Sequence, residues 1–149
     1  MLDQGWVNIF IIYFNKIMFN LNTETDYALI ILSYLYRQKK ITALSELIKA
    51  TNLPQRYLAR IAAKLVNHKL LISREGRVGG YQLASNVNKI SLYDFLLIYE
   101  GELFKTKCSA EDYCCEYEKV CHHKHFFTEK LNTVLKNNLT KIKLTTLFK

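Results

Sequence analysis

Two runs of helical periodicity, broken at Thr51-Asn52-Leu53-Pro54 and followed by a strand–glycine turn–strand pattern, restrict this chain to very few folds. In the first run Leu44, Leu47 and Ile48 share one helical face. Thr51 and Asn52 end it, and Pro54 suits the first turn of a new helix, where a missing N–H costs nothing. In the second run Leu58, Ile61 and Leu65 turn inward, while Arg56, Arg60 and Lys64 recur at i, i+4 and i+8 on the other side. Two helices across a short turn, the second studded with cations, predict a helix-turn-helix. An ordinary helical hairpin with a solvated face fits the same pattern.

The next segment favours the first reading. Leu70-Leu71-Ile72-Ser73-Arg74 and Tyr81-Gln82-Leu83-Ala84 read as short strands around Glu75-Gly76-Arg77-Val78-Gly79-Gly80. A helix-turn-helix followed by a β-hairpin is a winged helix, and Arg74 or Arg77 at the wing tip can meet phosphates or enter a minor groove. No Lys-Ser or Lys-Thr follows the glycines, and no helix starts directly after them, so a nucleotide-phosphate loop is a poor reading. The formal net charge of +8, from 21 Lys and Arg against 13 Asp and Glu, suits a polyanionic partner but equally serves solubility.

Upstream, Thr23-Glu24-Thr25-Asp26 offers cap-type residues before the apolar run from Tyr27 to Arg37, which predicts a buried helix. Downstream, Ser91 and Asp94 resemble a capping box ahead of a helix with Leu92, Phe95, Leu96 and Tyr99 inward. Near the C-terminus Phe126, Phe127, Leu131, Val134, Leu135, Leu139 and Ile142 keep helical spacing. So long an apolar stripe predicts a dimerisation helix, with packing inside the chain as the plainer alternative.

All four cysteines, Cys108, Cys114, Cys115 and Cys121, are bunched in one segment, and His122, His123 and His125 follow at once. Pairing them would close only short loops, which stabilises little. We expect reduced thiols in a cytoplasmic protein. The apolar stretch Trp6 to Phe14 lacks a basic flank and a small-residue cleavage site, and it is shorter than the ~20 residues that span a bilayer. No membrane partner is expected. Residues 1–17 look unlike the rest, and a start at Met18 is the expectation; a membrane-touching arm is the alternative.

From Met18 onward the chain resembles the Rrf-two family of winged-helix repressors, in particular its nitric-oxide- and iron–sulfur-sensing, NsrR-like branch. The resemblance is carried by Leu21-Asn-Thr-Glu-Thr25-Asp26-Tyr27-Ala28 at the start and the pair Tyr57-Leu58 in the second helix. It continues in the wing, Gly76 to Ala84, the cysteine segment 108–121, and Thr146-Leu147. Two departures matter. Glu75 stands where the family's wing has Arg, leaving Arg74 or Arg77 to substitute. The histidines at 122, 123 and 125 are out of register with the ligand His of a related iron–sulfur branch, whose position is Lys124 here.

The resemblance implies a cluster, 2Fe–2S or 4Fe–4S, held by Cys108, Cys115 and Cys121, with Cys114 as the alternative to Cys115. It also implies a carboxylate ligand from the other subunit at the position of Asp26, which as a bland alternative simply favours the helix dipole. Zinc on the same thiols, or a metal-free thiol switch, stays open. A cluster-carrying electron carrier is a poorer reading, because a carrier needs neither wing nor recognition helix. The expectation is a mainly α, winged helix-turn-helix protein and not an enzyme. Residues 18–100 form the DNA-binding domain, 101–125 the cysteine-rich loop, and 126–149 a long dimerisation helix and tail. The expected partners are an operator duplex, a second copy of the chain, and nitric oxide or another redox signal. Arg56, Tyr57, Arg60 and Lys64 are expected in or beside the major groove, with Arg74 and Arg77 on the wing.

Overall fold

The computed structural model describes residues 21–101, 103, 113–114, 116–117, 119–121 and 126–149. Helix α1 spans Thr23–Gln38. Its cap stands one residue ahead of the run read as cap-forming: the Asn22 side chain accepts from the Thr25 N–H at 2.9 Å. Glu24 and Asp26 then sit in the first turn, where the helix dipole favours negative charge. Ala28, Ile31, Leu32 and Leu35, at i, i+3, i+4 and i+7, are fully buried and make α1 the central helix of the core.

Helices α2, Leu44–Thr51, and α3, Gln55–Asn67, meet at the expected break. Asn52 takes the left-handed conformation that ends α2, and Pro54 stands just ahead of α3, where no N–H is needed. Leu58, Ile61, Ala62 and Leu65 bury one face of α3 against α1.

Strand β1, Leu71–Arg74, pairs antiparallel with β2, Gly80–Leu83, with Leu71 opposite Leu83 and Arg74 opposite Gly80. On its other side β2 meets Thr42, whose N–H donates to the Tyr81 carbonyl at 2.9 Å and whose carbonyl accepts from the Tyr81 N–H at 2.8 Å. Gly80 makes this approach possible: a Cβ there would lie 2.2 Å from the Thr42 carbonyl oxygen. The wing is thereby sewn to the segment before α2.

A 3₁₀ turn, Ser85–Lys89, leads to α4, Leu92–Glu100. The capping box is present: the Ser91 hydroxyl accepts from the Asp94 N–H at 3.1 Å, and the Asp94 carboxylate accepts from the Ser91 N–H at 3.4 Å. The C-terminal part divides where one long helix was expected. A π-helical turn, Phe126–Leu131, runs into a two-turn helix α5, Asn132–Leu139. The chain then bends so that Leu144 and Phe148 of a 3₁₀ turn enter the core. Backbone bonds from Leu92 N–H to the Ile142 carbonyl and from Leu144 N–H to the Ile90 carbonyl hold that return. Burial of the tail outweighs continuation of the helix. Helix α5 buries no residue fully, and Val134 and Phe126 are 53% and 51% exposed. Among the described residues no helix is long and apolar enough to cross a membrane.

Candidate nucleic-acid interface

Helix α3 presents Arg56, Tyr57 and Arg60 on its exposed side. Arg56 makes no ion pair among the described residues, whereas Arg60 and Lys64 are engaged. Arg60 Nη2 lies 2.7 Å from Glu24 Oε1, and Lys64 Nζ lies 3.5 Å from Glu24 Oε2. Each cation also rests on a ring: the Arg60 guanidinium is 5.1 Å from the Tyr57 centroid, and Lys64 Nζ is 4.3 Å from that of Tyr99. Tyr57 in turn meets Tyr27 edge-to-face at 6.3 Å. A cleft of about 440 Å³ opens between the first turn of α1 and the start of α3, lined by Glu24, Tyr27, Tyr57 and Arg60 among others.

Spacing placed Arg60 and Lys64 on an open helical face. It missed Glu24, because the approach of the α1 N-terminus to α3 is a long-range event with no local signature. The i, i+2 pair of acids at the start of α1 was the available signal, and the structure gives the two different neighbours. Glu24 turns to α3; the Asp26 carboxylate stays exposed, with no hydrogen bond or ion pair among the described residues.

On the wing, Arg74 ends β1 and Arg77 lies in the turn. Both are exposed and without ion pairs among the described residues, and the exposed Glu75 sits between them in sequence. The wing and the exposed side of α3 therefore offer three guanidinium groups with no ion pair among the described residues: Arg56, Arg74 and Arg77. Unpaired guanidinium groups of this kind are suited to phosphate oxygens or guanine edges.

The end of α4 is tied to the start of α1. Glu100 Oε1 accepts from the Asn22 N–H at 2.9 Å and from the Thr25 hydroxyl, while Asn22 Nδ2 donates to the Tyr99 carbonyl at 2.9 Å. Tyr99 is buried, and its hydroxyl finds no hydrogen-bond partner among the described residues. Burial, with the Glu24 charge adding to it, pushes its phenol well above the ordinary tyrosine value. The cysteine segment begins a few residues beyond this junction.

Of the expected cluster ligands, Cys108 and Cys115 lie outside the described residues, as do His122, His123 and His125. Cys114 is exposed and Cys121 half-buried. Among the described residues of one chain, no three His, Cys, Asp or Glu side chains gather as metal ligands. In type the donors suit an iron–sulfur cluster: soft thiolates, plus the exposed carboxylate of Asp26.

A family model described as Rrf2, iron-dependent transcriptional regulator, matches residues 21–149. A protein of Aquifex aeolicus (strain VF5), named as an HTH-type transcriptional regulator, is 29% identical over 109 residues, covering 66% of this chain and 72% of that one. The structure of CymR (YrzC), described as the global cysteine regulator of B. subtilis, is similar with a TM-score of 0.64 at 26% identity, over 88% of this chain and 97% of that chain. IscR of T. potens shares the fold, with a TM-score of 0.58 at 22% identity over 85% and 84% of the two chains.

Proposed function

Because this chain belongs to the Rrf2 family of winged-helix transcriptional regulators, which are not enzymes, we propose that it is a dimeric, cytoplasmic repressor whose hold on its operator is governed by an iron–sulfur cluster. Helix α3 enters the major groove, with Arg56 and Tyr57 foremost and Arg60 and Lys64 behind them. Arg74 and Arg77 carry the wing to the flanking phosphates. The exposed apolar side formed by Phe126 of the π-helical turn and Val134 of α5 meets the second copy.

The observation that carries the sensing part is the thiol set at 108–121 combined with the exposed carboxylate of Asp26, which has no partner among the described residues. Cys108, Cys115 and Cys121 would hold the cluster, with Cys114 able to replace Cys115, and Asp26 of the opposite subunit would complete the set. When bound, the cluster supplies iron with a labile, hard-ligand position that nitric oxide or another redox signal can attack. The residues of the chain do the rest. Asp26 lies in the same helical turn as Thr25, which Glu100 holds, and as Glu24, which holds α3. A cluster held across the dimer would tie this turn to the opposite subunit and so couple the two reading heads through Asp26. A near-complete switch of occupancy requires about 10⁴-fold differential affinity, or ~5.5 kcal/mol.

The test is an anaerobic absorbance spectrum of the full chain before and after nitric oxide, with binding to duplexes enriched from a random library followed in parallel. A brown protein that bleaches and then releases DNA supports the reading. A colourless protein that holds zinc, or binds DNA identically throughout, refutes the cluster and favours thiol- or zinc-based control; exposed Cys114 beside Cys115 is the observation behind that second reading.

A further inference from the structure

Among the described residues, one carboxylate meets two of the three cations of α3. Glu24 uses one oxygen for Arg60, at 2.7 Å, and the other for Lys64, at 3.5 Å. The arrangement is held from three sides. The first turn of α1 is fixed by the Asn22 cap and by Glu100, Arg60 lies on the Tyr57 ring, and Lys64 lies on the Tyr99 ring. Exposed ion pairs add little to folding stability, so an arrangement this specific calls for another role.

We propose that Glu24 is a selectivity residue of the DNA-binding face: it withholds Arg60 and Lys64 from sequence-independent phosphate contacts and yields them only where a matching operator offers Arg60 a base edge. This rests on the reading of α3 as the DNA-contacting helix. Phosphate attraction is the same on every duplex, so a free cation strengthens wrong and right sites alike. A cation already facing a carboxylate gains little by exchanging it for one phosphate. A bidentate guanidinium–guanine contact is stronger than an exposed ion pair and can displace it. Glu24 thus subtracts from background binding more than from operator binding.

The test uses Glu24→Gln in the full chain, with iron content matched to the parent. Two duplexes serve as probes: one enriched from a random library by the parent, and its scrambled counterpart. Binding is followed across a salt titration. We expect affinity for the scrambled duplex to rise about three- to tenfold. Its salt slope should steepen by about 1–2, for the one or two phosphate contacts released. The enriched duplex should gain less, so the ratio of the two affinities falls. Unchanged affinity and slope on the scrambled duplex, or an equal gain on both, would overturn the proposal. The Arg60→Ala, Lys64→Ala double variant separates the two layers. If it binds the enriched duplex as the parent does, the reading of α3 itself fails. If it binds more weakly while Glu24→Gln leaves the scrambled duplex unaffected, only the role of Glu24 fails. Adding Glu24→Gln to the double variant should then change nothing; a persisting gain would trace to net charge alone and also defeat the proposal.

Discussion

At the scale of single residues, three side chains at the junction of α1, α3 and α4 have separable roles. Tyr99 is buried with its hydroxyl unpartnered among the described residues, and a buried unsatisfied hydroxyl costs about 1–3 kcal/mol. Tyr99→Phe keeps the ring under Lys64 and removes that cost. We expect stability to be retained or raised by about 1 kcal/mol, read from the denaturant midpoint. The same substitution has a pH signature. The folded chain holds the phenol neutral above the value of about 10 at which an unfolded tyrosine ionises. Protons bound in the folded state then exceed those in the unfolded state, so the stabilising contribution is complete below that pH and declines as pH rises above it. Tyr99→Phe should remove one proton's share of the alkaline slope, ~1.4 kcal/mol per pH unit; parallel stability curves would show that Tyr99 titrates alike in both states. Asn22 caps α1 and also bonds the Tyr99 carbonyl, so Asn22→Ala should cost about 1–2 kcal/mol of stability, measured by urea unfolding. A loss well below this would mean that water or Thr23 replaces the cap.

At the scale of elements, the wing depends on a close backbone approach. A Cβ on Gly80 would meet the Thr42 carbonyl at 2.2 Å, and the neighbour is main chain that cannot rotate away. Gly80→Ala should therefore detach β2 from Thr42 and cost on the order of 1–3 kcal/mol. Amide exchange at Thr42 and Tyr81 should rise more than at Leu58 or Ile61 in α3. Uniform exchange across wing and helix would show that the wing does not yield separately. Helix α3 itself was legible from spacing: Leu58, Ile61 and Leu65 are buried as the period requires, and of Arg56, Arg60 and Lys64 on the other side the first two are exposed and Lys64 half-buried against Glu24 and Tyr99. The C-terminal helix was legible only in part. Helical spacing marked the helical turns from Phe126 to Leu139, but periodicity could not show that Leu144 and Phe148 are drawn into the core and bend the chain after Leu139.

At the scale of the whole molecule, the uncovered apolar side of α5 bears on assembly. Val134, 53% exposed in the isolated chain, should be covered if α5 joins two copies. Val134→Lys should then shift the protein towards monomers in sedimentation and weaken operator binding, with helix content unchanged by circular dichroism. A variant that stays dimeric would place the interface elsewhere. Sequence pattern alone was enough for the winged-helix order, the capping box at Ser91, the buried faces of α3 and α4, and the bunching of the four cysteines between the reading head and the C-terminal helix. These follow from side-chain period, turn chemistry and composition, which act between residues near in sequence. Three contacts follow from chain packing instead: Glu24 faces Arg60 and Lys64, Glu100 and Tyr99 grip the cap of α1, and Thr42 extends the wing. Each joins residues separated by tens of positions. They are brought together because burying the apolar faces of α1, α3 and α4 in one core fixes which polar rims meet, and no local pattern encodes that meeting.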